Sequence, residues 1–92
     1  MQIIYRETFE FNLLHTIDFI ATDKPIASVN FANELEKLIF NLPNFPYKNR
    51  QSIYFNDENI RDMVFKGYTI VYKINIQKNL IEILDIFNQN KR

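Results

Sequence analysis

Ile60-Arg61-Asp62-Met63-Val64-Phe65-Lys66-Gly67-Tyr68-Thr69-Ile70-Val71-Tyr72-Lys73-Ile74 decides the fold. Two apolar runs, residues 60–65 and 68–76, flank Lys66-Gly67, and Gly67 is the only glycine in the chain. Glycine takes positive φ at no steric cost, which a two-residue hairpin loop demands. Such a loop sets the register: Phe65 opposes Tyr68, Met63 opposes Ile70, and Arg61 opposes Tyr72. One face then carries Met63, Phe65, Tyr68, Ile70, Tyr72 and Ile74, heavy enough to pack on helices. The other carries Ile60, Asp62, Val64, Thr69, Val71 and Lys73, a mixed surface suited to water or a partner. Because the aromatics share the heavy face, core packing is expected of them rather than base stacking.

On the C-terminal side, residues 75–79 read as a second turn and 80–87 as a last strand. On the N-terminal side, residues 52–56 read as a short strand, broken by the polar Asn56-Asp57-Glu58-Asn59. Residues 44–50, with Pro46, read as a loop. Two helices come before it. In the first, Phe9, Leu13, Ile17 and Ile20 recur at helical spacing, with an end near Thr22. Phe11, His15 and Phe19 form a second stripe on roughly the opposite side. That stripe fits either a protein-contact surface or a ring tucked under a loop.

The second helix starts at Pro25, a residue favoured at the first helical position. Its stripe is Phe31, Leu35, Leu38 and Leu42, and Leu42-Pro43 ends it. The short link over residues 21–24 makes the pair an αα-hairpin. Residues 2–6, β-branched and aromatic, form a first strand. The expected class is α+β: an N-terminal strand, an αα-hairpin, then an antiparallel sheet of three to four strands, all in one domain over residues 1–92.

Composition supports a folded core: 47% of the residues are hydrophobic, and nine Phe and five Tyr stand among 92 positions. With no cysteine there is no disulfide framework, thiolate zinc site or cysteine nucleophile. A single histidine, His15, excludes a metal site needing two imidazoles. No apolar run nears the ~20 residues of a membrane span, and the N-terminus lacks signal-peptide form. A soluble cytoplasmic chain with no cofactor is the expectation. Charge balances overall but not along the chain. Residues 1–47 hold three cations against six carboxylates, net −3; residues 48–92 hold eight against five, net +3. A basic C-terminal half points mildly to an anionic partner, protein or nucleic acid.

The order strand–helix–helix–strands resembles the RelE/ParE superfamily of toxins from type II toxin–antitoxin pairs. So do the phrase Leu42-Pro43-Asn44-Phe45-Pro46, the Gly67-Tyr68 hairpin with Tyr72 four residues on, and the ending from Ile83 to Arg92. The resemblance implies a toxin neutralised by a cognate antitoxin that wraps a segment around it. RelE-like members cut messenger RNA on the ribosome; ParE-like members poison DNA gyrase without a nuclease site.

The nuclease pattern is missing here. Ribonuclease members carry lysines at the positions of Ile60 and Asp62, an arginine at Thr69, and a tyrosine or histidine in the tail, where Asn88 stands. RNA scission needs a base for the 2′-hydroxyl, cations for the developing charge and a proton donor for the leaving oxygen. An aspartate in place of a cation repels the phosphate. The chain therefore resembles the ParE-like branch, with no catalytic residue assigned. Its target-contact candidates are Arg50, Arg61, Lys73, Lys91 and Arg92, and Arg61 equally suits a structural role with its stem buried. Phe11, His15 and Phe19 are the candidates for antitoxin or homodimer contact. The alternatives are a ribosome-dependent messenger RNA endonuclease with relocated basic groups, and a binding module that has lost toxicity.

Overall fold

A computed structural model describes residues 1–88. At the decisive hairpin, Lys66 has φ 50° and Gly67 φ 84°, the two left-handed residues of a tight reversal. The strands it joins are the third and fourth of the sheet, β3 (Ile60–Phe65) and β4 (Tyr68–Asn75). They pair in the expected register, with Phe65 opposite Tyr68, Met63 opposite Ile70 and Arg61 opposite Tyr72. Around them the order is β1 (Gln2–Tyr5), α1 (Glu7–Asp23), α2 (Pro25–Asn41), β2 (Arg50–Gln51), β3, β4 and β5 (Leu80–Asn88). The sheet has five strands, one more than the upper expectation, in the order β1-β5-β4-β3-β2. Only the β1–β5 pair is parallel. A parallel pair needs a long connection, and the helical hairpin begins it.

β5 solves a parity problem. Ile81, Ile83 and Ile86 are all buried, yet two are odd-numbered and one is even. Strict alternation would turn Ile86 to the opposite face. Val71 pairs with Asp85 and Tyr72 with Ile83, so Leu84 is the extra residue of a bulge that resets the alternation. The core then packs Phe9 of α1 and Phe31, Leu35 and Ile39 of α2 against Met63, Ile70, Tyr72, Ile74, Ile81, Ile83 and Ile86.

The helices follow their stripes with one exchange. Lys24 alone separates them, and Pro25 opens α2. On α2 it is Ile39, not Leu38, that enters the core, continuing the four-residue step from Phe31 and Leu35. The helix stops at Asn41, and Leu42 is buried from a 3₁₀ turn, Leu42–Asn44, that carries Pro43.

Two expectations fail on the outer side of the sheet. Residues 52–56 form no strand; backbone bonding to β3 ends at the Ser52 N–H, which donates to the Ile60 carbonyl at 2.7 Å. Side chains capture the backbone instead: Asp62 Oδ2 accepts the Ile53 N–H at 3.2 Å, and Ser52 Oγ accepts that of Tyr54 at 3.2 Å. Such local bonds compete with a ladder. The face opposite the helices is also not an open mixed surface. Ile60, Asp62, Thr69 and Val71 are all buried. Segment 52–59 crosses them, from Asp62 on β3 to Phe87 on β5, where the Tyr54 ring meets the Phe87 ring edge-on at 5.1 Å. Only Val64, toward the hairpin, remains exposed, with Lys73 half-buried. Among the described residues no helix is long and apolar enough to cross a membrane.

Candidate functional site

The three described cations chosen as target contacts do not converge. Arg50 lies on edge strand β2 opposite Asp62, with its guanidinium 3.5 Å from Asp62 Oδ2. Lys73 lies two strands away on the outer face, between Ile60 and Glu82, and Glu82 is ion-paired with Arg6. Arg61 is committed to structure. Its Nε donates to the Glu58 carbonyl at 2.8 Å and its Nη1 to the Asn49 carbonyl at 3.1 Å. The guanidinium also sits 5.0 Å from the centre of the Tyr47 ring, a cation–π contact. Lys91 and Arg92 lie outside the described residues.

The positions that the resemblance marks as lacking nuclease cations are closed as well as without positive charge. Ile60, Asp62 and Thr69 are buried beneath segment 52–59. Asp62 Oδ1 and Thr69 Oγ1 are buried with no hydrogen-bond partner among the described residues. A phosphate reaching this place would have to displace the covering segment and then meet a carboxylate.

The second stripe of α1 is exposed. Phe11 keeps 64% and Phe19 66% of their surface, and the Phe11 and His15 rings touch edge-on at 4.5 Å. His15, Thr16 and Phe19 border a shallow hollow of about 210 Å³ that reaches Tyr68 and Asn88. Among the described residues no loop covers the stripe.

The sequence reading missed a groove on the other flank of α1. Phe9, Leu13 and Ile17 face Leu35 and Ile39 of α2 across about 440 Å³, with Glu10 on one wall and Glu36 on the other. Neither carboxylate has an ion-pair partner among the described residues. At one end Tyr5 stacks on Phe9 at 5.8 Å. Burial, and next the charge of Glu36, raise its hydroxyl above the usual tyrosine range. The groove suits an apolar side chain carried next to a cation. Its signal was present in the two glutamates, each one helical step from a core residue, but only the packing angle of the helices leaves the space between them.

Comparison with known proteins accords with this architecture. A solved structure of the chromosomal ParDE TA system from P. aeruginosa superposes with a TM-score of 0.76. The match covers 96% of this chain and 95% of that one at 11% identity, a likeness of fold. Among curated proteins, none matches the sequence. The family model describing the ParE toxin of the type II toxin–antitoxin system parDE matches residues 3–92. Matched over almost its whole length, the chain belongs to the ParE toxin family of type II toxin–antitoxin systems.

Proposed function

We propose that this toxin acts in the cytoplasm by binding a protein target such as DNA gyrase, cuts no RNA, and is held inactive by a cognate antitoxin. One observation carries the reading: the outer sheet face, at the nuclease positions, is roofed over and holds Asp62 where a cation is needed. Scission of an RNA backbone depends on preplaced positive charge around the phosphate, and buried Ile60, Asp62 and Thr69 supply none. Expression without antitoxin, with transcript mapping and a gyrase supercoiling assay, tests it. Inhibited supercoiling with intact transcripts is the expected outcome. Cleaved transcripts with normal supercoiling would reverse the assignment.

Family membership implies an antitoxin partner. The stripe of Phe11, His15 and Phe19 supports a place for it, because aromatic side chains at a protein surface are typical interface anchors. Phe11→Glu with Phe19→Glu should weaken antitoxin binding by roughly tenfold or more while the monomer stays folded. Titration calorimetry and circular dichroism check both parts. Wild-type affinity in the double variant rules this surface out.

A further inference from the structure

Segment 42–49 is tied to the sheet through its polar groups. From below, the buried Tyr72 hydroxyl donates to the Pro46 carbonyl at 2.7 Å and accepts from Asn49 Nδ2 at 3.1 Å. Arg61 holds the Asn49 carbonyl from the side. Phe45 nevertheless points outward, 69% exposed. It borders a pocket of about 170 Å³ with Leu38, Met63 and Val64, and both Leu38 and Val64 are exposed there. Lys48 lines this pocket and also the shallower hollow over residues 44–47. It is the one charged residue on either lining; no carboxylate stands on them. Lys48 also has no ion-pair partner among the described residues. The groove between the helices shows the opposite pattern, with two glutamates and no cation.

We propose that this surface, with Phe45 and Lys48 at its centre, grips the toxin's protein target through an acidic segment carrying an apolar anchor. The proposal rests on the reading of the chain as a protein-binding toxin and names the surface that does the binding. The anchor fills the pocket between Leu38, Phe45 and Val64, and a carboxylate next to it meets the Lys48 ammonium. A loop already held by Tyr72, Asn49 and Arg61 has little conformational freedom left to lose on association, which favours affinity. A desolvated aromatic beside a complementary charge is the composition of a binding hot spot.

Two arms test it. In the first, the isotope-labelled full chain is titrated with a synthetic peptide of alternating leucine and aspartate, and with its lysine counterpart. The acidic peptide should shift the Phe45, Lys48 and Val64 amide resonances and the lysine peptide should not. Lys48→Glu should weaken the acidic peptide roughly tenfold. Shifts located elsewhere, equal shifts from both peptides, or none overturn the proposal. In the second arm, Phe45→Ala with Lys48→Glu should need roughly tenfold more protein to inhibit purified gyrase. Lys78→Glu, an equal charge reversal on an exposed turn, should inhibit like wild type. Full inhibition by the Phe45/Lys48 variant removes this surface and leaves the gyrase reading standing. If the wild type does not touch gyrase, that reading falls, and growth arrest on expression judges the surface instead. Arrest lost in the folded variant then supports it, and arrest retained overturns it.

Discussion

On the helix side of the sheet, apolar residues meet apolar residues: Phe9, Phe31, Leu35 and Ile39 close over Met63, Ile70, Ile81, Ile83 and Ile86. On the other side, Asp62 and Thr69 are buried beside Ile60 and Val71, beneath a segment with no regular structure. The first face is held by area and close packing, which depend on many contacts and no single bond. The second is tied down by few contacts, among them one hydrogen bond to Asp62, the Ser52 N–H on the Ile60 carbonyl and the Tyr54–Phe87 ring contact. The difference teaches that two equally buried faces of one sheet fail in different ways. Phe9→Ala, on the first, should cost about 3–5 kcal/mol through lost burial and the cavity left behind. Urea unfolding of the whole domain measures it, and a loss under about 1 kcal/mol would mean the helices repack freely.

The second face should break locally and by less. Asp62→Ala removes the acceptor of the Ile53 N–H and leaves Arg50 without its partner. Ile53 is largely exposed, so water can reach the freed N–H and the loss should be about 0.5–1.5 kcal/mol. Asp62→Asn keeps an oxygen for Ile53 and loses only the ion pair to a half-exposed Arg50, a contribution of about 0–1 kcal/mol at such sites. Hydrogen exchange at the Ile53 amide separates the two: protection should vanish in the alanine variant and persist in the asparagine variant. Equal exchange in both would show that the carboxylate does not hold the covering segment down.

These contrasts track what could be read in advance. Gly67 between two alternating runs was enough for the hairpin and its pairing, because turn geometry and a period of two leave one solution. The stripe of Phe11, His15 and Phe19 was legible by helical spacing alone. The burial of Asp62 was not. Nothing local distinguishes an aspartate facing water from one under a loop, since the Ile53 N–H it binds is nine residues away in sequence and is recruited by that same side chain. Arg61 was legible as a buried stem, but its role as a clamp on Glu58 and Asn49 depends on where two loops cross. The Phe45 and Lys48 surface escaped for a related reason. An exposed phenylalanine in a loop carries no pattern until Tyr72 is seen to fix the loop from below.

Tyr72 joins the two regimes, with its ring in the apolar core and its hydroxyl bonding the loop that carries Phe45. Burial pushes that hydroxyl above the usual tyrosine value, while the Asn49 hydrogen bond and the nearby Arg61 pull it partly back. Below about pH 10 the group is protonated whether the chain is folded or not, so it gives stability no pH dependence. Above that value the unfolded chain ionises first, and the folded form holds its proton longer. Stability should therefore fall as pH rises from about 10 toward the folded-state value. Tyr72→Phe removes both the bonds and the titration. It should cost about 1 kcal/mol at neutral pH and make the alkaline loss shallower, so the two proteins converge as pH rises. Urea midpoints on either side of about pH 10 decide it. Parallel curves for the two proteins would place the alkaline sensitivity elsewhere and leave Tyr72 as a packing residue only.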